Sequence, residues 1–134
     1  MNKRRRKWLA GIAISLLLIW FIADAMNQPG VQDLKGGFRE VAFYRNENNT
    51  GPIIRIYAVT VADTNWQEME QYGNFMPHTK YGNTRIYYFL NTNPLPTEVY
   101  PGSENFEARF QEFAVAKYEK DAMGQVSFVR YPYR

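Results

Sequence analysis

Ile53-Ile54-Arg55-Ile56-Tyr57-Ala58-Val59-Thr60-Val61 is the strongest strand signal in the chain. Apart from Arg55 its side chains are apolar, aromatic or β-branched, the types that pack well on a pleated backbone. Just before it, Asn46-Glu47-Asn48-Asn49-Thr50-Gly51-Pro52 is a cluster of turn formers. Before that cluster, Phe38 to Arg45 alternates and is rich in Val and aromatics, a second strand pattern. The short connection makes the two an antiparallel hairpin with a longer loop.

After Val61 the pattern changes period. Asp63-Thr64-Asn65 offers helix caps, and both Thr64/Gln67 and Asn65/Glu68 have capping-box spacing. Trp66, Met69, Tyr72 and Met76 then recur on one face, which predicts a short helix to about Phe75, ended by Pro77. Tyr81-Gly82-Asn83 is a turn, Thr84 to Leu90 a third strand, and 91–102 an irregular loop containing Pro94, Pro96 and Pro101. Ser103 reads as the next N-cap, with Glu104 in the first turn, where the helix dipole favours a carboxylate. Phe106, Phe110, Phe113, Ala114 and Lys117 or Tyr118 form an apolar stripe, which predicts a second helix stopped at Gly124. Phe110 and Phe113 are expected in its core-facing stripe. Gln125 to Tyr131 reads as a final strand.

The predicted order is therefore ββαβαβ. Two β-α-β crossovers would make the last three strands parallel and put both helices on one face, with the first strand antiparallel at an edge. The expected fold class is α+β, a two-layer sandwich with a four-stranded mixed sheet over residues 38–134.

Upstream, Lys3, Arg4, Arg5, Arg6 and Lys7 precede an uncharged run from Trp8 to Ala23. Such a run has no amphipathic period and cannot rest on a water-facing surface. The cations stay cytoplasmic by the positive-inside rule, which sends the rest of the chain across the membrane. The expected organisation is a cytoplasmic basic tail (1–7), a transmembrane anchor in the lipid bilayer (8–26), a linker (27–37) and an extracytoplasmic domain (38–134). Sixteen apolar residues span roughly 24 Å, somewhat less than a hydrocarbon core of about 30 Å. Ala23-Asp24-Ala25 also fits a signal-peptidase site, so cleavage after Ala25 and a secreted domain is the alternative. The bulky Trp20 and Phe21 so close to that site favour retention.

The basic charge balance is local. Five of the 16 basic residues sit in the tail, leaving 11 against 12 acidic residues from Asn27 onward. A nearly neutral domain has no field to attract a polyanion, which argues against nucleic acid. The chain has no cysteine, so disulfides, thiolate zinc sites and a cysteine nucleophile are excluded.

Candidate chemistry is sparse. His78 is the single histidine and reads as a loop residue. A zinc site would need a second His or a Cys, and no calcium-loop pattern occurs. Ser103 and Ser127 lack a nucleophile-elbow context, and no phosphate-binding glycine motif is present. Glu68/Glu70 and Glu104/Glu107/Glu112 read as solvated helix faces. Asn48-Asn49-Thr50 is formally a glycosylation sequon and equally a turn. No cofactor or metal is implied.

One pattern points to binding. By strand alternation, Arg39-Val41-Phe43-Arg45, Arg55-Tyr57-Val59 and Arg85-Tyr87-Phe89 would share a helix-free sheet face. Arginine mixed with aromatics is the composition of interaction hot spots. The expected function is a non-enzymatic, membrane-anchored interaction or accessory domain in the inner-membrane envelope. Its expected contact residues for an envelope partner are Arg55, Tyr57, Arg85, Tyr87 and Phe89. The rival readings are a small periplasmic enzyme using His78, Lys80, Arg85 and a helix carboxylate, or a freely secreted binding protein.

Overall fold

A computed structural model describes residues 2–26, 30, 34–46 and 51–134. The chain divides into two units, Met1–Gly30 and Val31–Arg134. The first is built on one helix, α1 (Lys3–Met26), of 24 residues with no buried side chain. It begins inside the basic cluster and continues through Asp24. Its length of about 36 Å therefore exceeds the span expected from the apolar run alone. It is long and apolar enough to cross a membrane, as an anchor or a signal sequence would be.

The second unit holds β1 (Arg39–Arg45), β2 (Ile54–Val61), α2 (Trp66–Phe75), β3 (Asn83–Leu90), a 3₁₀ segment (Ala108–Phe113), β4 (Ala114–Lys120) and β5 (Val126–Arg130). The strands form one sheet in the order β1-β2-β3-β4-β5. β1 and β2 are the expected antiparallel hairpin. β2 and β3 are parallel, joined by α2. β3/β4 and β4/β5 are antiparallel. The α+β class holds, with five strands in a mixed sheet and one helix packed on it.

The predicted helix from Ser103 to Gly124 is corrected. Phe106 and Phe110 are buried, as its apolar stripe required, but they lie in an irregular segment and the 3₁₀ turn. From Ala116 the burial alternates instead: Ala116 and Tyr118 are buried, while Lys117 and Glu119 are only partly covered. Period two defeats period 3.6 because β3 supplies a ladder partner for each of these residues. The last three strands are consequently not all parallel. Gly124 is no helix stop but part of the β4–β5 turn, where its φ of +78° suits glycine. The Asp121 carboxylate accepts from the Met123 and Gln125 N–H groups at 2.9 Å and ties that turn.

α2 forms as expected. The Asn65 side chain accepts from the Glu68 N–H at 3.2 Å, which satisfies one of the open donors at the helix start. Met69 and Tyr72 are buried, and Trp66 and Met76 pack at the margin of the same cluster. Gly73 lets the helix approach β4, because a Cβ there would overlap the Tyr118 ring.

The sheet is covered on both faces. Under α2 lie Tyr57, Val59, Val61, Ile86, Tyr88 and Tyr118. On the other side Ile56, Ala58, Tyr87, Phe89 and Ala114 pack against Val99, Phe106 and Phe110. The segment 91–113 thus covers the face that two helices on one side were expected to leave open. Much of the linker expectation (27–29 and 31–33) and the sequon at 48–50 lie outside the described residues.

Candidate functional site

The five expected contact residues do not share a face. In the β2/β3 register Ile56 pairs with Arg85, Tyr57 with Ile86 and Ala58 with Tyr87. Arg55 and Tyr57 therefore point to the α2 side, and Arg85, Tyr87 and Phe89 to the opposite side. Tyr57, Tyr87 and Phe89 retain only 4, 3 and 0% exposure. The expectation of one open arginine–aromatic face is corrected, because strand register puts the two halves back to back and each side has a cover.

Arg85 enters a polar knot under the 91–113 cover. Its Nε donates to Glu119 Oε2 at 3.1 Å and its guanidinium reaches Asn105 Oδ1 at 3.3 Å. Asn83 Nδ2 donates to the same Glu119 oxygen at 2.8 Å, and Lys117 lies 3.4 Å from the other. Burial pushes the Glu119 carboxyl up, but these hydrogen bonds and cations outweigh it and hold it below its usual range. Asn105 is the hinge pin of the cover. It accepts from the Tyr87 hydroxyl and donates to the Tyr100 and Gly102 carbonyls at 3.0 and 3.2 Å. Burial, then the neighbouring Tyr133, raises the Tyr87 hydroxyl, which stays protonated as the donor this bond needs. These bonds fasten loop to sheet, and among the buried side-chain polar atoms of the described residues only Asn83 Oδ1 is left without a partner. Asn105, Lys117 and Glu119 all fall within the helix expected from Ser103 to Gly124, Lys117 on its apolar stripe, and a helix there would not bring them to Arg85.

The α2 side keeps a surface of the expected composition beside the helix. Phe43 is 48% exposed and stacks on Tyr57 with ring centroids 4.8 Å apart. Arg45 lies directly opposite Arg55. Like charges in that position repel, and among the described residues neither has a carboxylate within ion-pair distance. Arg55 instead donates to Thr79 Oγ1 at 2.9 Å. Phe43 and Arg45 thus join Arg55 and Tyr57 as expected. Val41 packs on the other side of the sheet, because β1 bulges between Glu40 and Ala42.

His78 lies nearby, its Nδ1 2.9 Å from Thr84 Oγ1. Partial burial, then the charges of Lys120 and Arg55, lowers its pKa and favours the neutral ring. It borders a shallow cleft of about 310 Å³ with Lys80, Tyr81, Lys120 and Met123. Arg85 is not part of that cleft, so the histidine, lysine and arginine of the enzyme reading are not gathered together. Among the described residues no three His, Cys, Asp or Glu side chains are grouped to hold a metal ion. No protein-family model, no curated protein and no solved structure matches the chain.

Proposed function

We propose that the chain is a single-pass, membrane-anchored interaction domain. α1 is the anchor, residues 1–7 are cytoplasmic, and the sheet domain faces the periplasmic or equivalent side. The basic cluster at the start of α1 supports the orientation. The contact surface is the part of the expected arginine–aromatic set that stays accessible: Phe43, Arg45 and Arg55 over the Tyr57 ring. The observation that carries this reading is the opposed pair Arg45/Arg55 beside the exposed Phe43. An acidic partner segment would neutralise two cations that repel in the free protein, and would desolvate an aromatic already stacked in place.

Full-length protein carrying Arg45→Glu tests it, purified from detergent-solubilised native membranes beside the unaltered chain. The substitution leaves the Phe43–Tyr57 contact intact, so the thermal midpoint is expected to change little while a stoichiometric partner is lost. An unchanged partner profile refutes this surface.

A further inference from the structure

We propose that β5 is a dimerisation edge at which a second copy of this chain adds its own β5, antiparallel and centred on Phe128. The proposal is independent of the partner surface above.

The backbone geometry is the starting point. In the β4/β5 hairpin the Asp121 N–H donates to the Gln125 carbonyl and the Tyr131 N–H to the Val115 carbonyl. The register between these two bonds has no shift. Hydrogen-bonded pairs alternate along an antiparallel ladder, so Gln125, Ser127, Val129 and Tyr131 turn their backbone groups toward β4. Val126, Phe128 and Arg130 therefore present theirs outward. β5 ends the sheet, and no strand pairs with its outer side among the described residues. Among the described residues none folds back along it either: after Tyr131, at φ +50°, Tyr133 packs on Phe106 and Tyr87 over the sheet face.

The outward set is symmetric about Phe128. A two-fold axis there pairs Val126 with Arg130 of the other copy, Phe128 with Phe128, and Arg130 with Val126, meeting every outward N–H and C=O. Arg130 is the single charge in β5, and it falls opposite a valine rather than another arginine. On the opposite sheet face, Ser127 falls opposite Val129, which is 47% exposed in the single chain. The edge is guarded only lightly: the strand is short and carries the one charge of Arg130, with no bulge, no proline and no lysine within it. The other edge is guarded more heavily, since β1 is bulged and carries three charges, Arg39, Glu40 and Arg45. Pairing β5 with β1 of another copy would propagate into a filament, whereas β5 with β5 closes at two.

The test uses full-length chains with no other cysteine. Ser127→Cys and Val129→Cys, on differently tagged copies, are co-expressed and oxidised mildly in membranes. These positions form a non-hydrogen-bonded pair across the two-fold, with Cα atoms about 4.5 Å apart, inside disulfide range. The mixed sample is expected to yield at least ten times more disulfide dimer between the two tags than either variant yields with itself. Val126→Pro, which removes only an outward N–H, is expected to abolish that dimer while the thermal midpoint holds. Equal cross-linking in the mixed and single samples overturns the proposal. So does persistence of the dimer with Val126→Pro, or a unaltered chain that sediments as a monomer at every concentration. Cross-links to other proteins but none between the tags mean a heterologous strand occupies the edge, which also overturns it.

Discussion

Gly73→Ala reverses the usual sign of a helical glycine substitution. In an exposed helix interior this change stabilises by up to about 1 kcal/mol, because alanine has the higher propensity. Here the new methyl group would overlap the ring of Tyr118. That ring is 1% exposed and fixed at its far end, where the hydroxyl donates to Asn74 Oδ1 at 2.8 Å. Overpacking of a filled core costs about 1–3 kcal/mol. Displacing the ring also gives up a hydrogen bond worth about 1 kcal/mol. The net is destabilisation of roughly 1–3 kcal/mol. In a domain of this size each kcal/mol moves the midpoint by roughly 4–8 °C. Thermal unfolding of the full chain in detergent micelles, followed by circular dichroism, should therefore show a fall of roughly 5–20 °C. With Tyr118→Ala in the background, the same glycine change should become neutral or stabilising, a coupling of about 1–3 kcal/mol. A Gly73→Ala chain that melts at or above the parent temperature would refute the close approach of α2 to β4.

Phe106→Ala should cost about 3–5 kcal/mol, since the ring is 1% exposed and packs edge-on against Tyr87 and Phe89; urea denaturation reads it directly, and a loss under 1 kcal/mol contradicts the cover over that face. Glu119→Gln tests the polar knot by pH. The Glu119 carboxyl titrates below its usual range in the folded chain, so its contribution is complete above the unfolded value of about 4.3 and fades as pH falls further. The stability gap between parent and Glu119→Gln should be largest near neutral pH and shrink at about pH 3, and a gap that widens on acidification opposes the assignment.

The elements read from local signals survive in the structure. The hairpin of β1 and β2 follows from two strand patterns around a turn cluster, and α2 follows from the Asn65 cap and the Met69/Tyr72 stripe. The segment from Ser103 was misread because two structures share its apolar residues. Phe106 and Phe110 are four apart for a reason that is not helical: they reach down from a loop pinned by Asn105. The alternation in Ala116-Lys117-Tyr118-Glu119 was present in the sequence, yet it was overlaid by a helical stripe that ran into it. What decides between them is the ladder with β3, in which Arg85 faces Glu119 and Tyr87 faces Lys117. Such a long-range pairing leaves no local trace.

The division of the arginine–aromatic set between two faces rests on one integer. Ile56 pairs with Arg85, an offset of 29 between β2 and β3. Grouping Arg55 and Tyr57 with Arg85 and Tyr87 presupposes an offset of 30, and a slip of one residue turns every side chain of a strand to the other face. Hydrophobicity could not choose between the two. In a strand with one wet face the polar residues mark the outside, but both faces of β2 and β3 are largely apolar, as in a strand buried on both sides. Only the charged ends carry parity information. Arg85 needs a partner once covered, and the odd offset puts it on the side where Glu119 and Asn105 stand. Arg55 is then left beside Arg45 and the exposed Phe43, with a threonine hydroxyl as its hydrogen-bond acceptor. The same register that turns Arg85 to the other face therefore leaves Arg45 and Arg55 together at the β1/β2 edge, with no carboxylate within ion-pair distance of either among the described residues; under the proposed reading that edge, and not the whole sheet face, is where an acidic partner would bind.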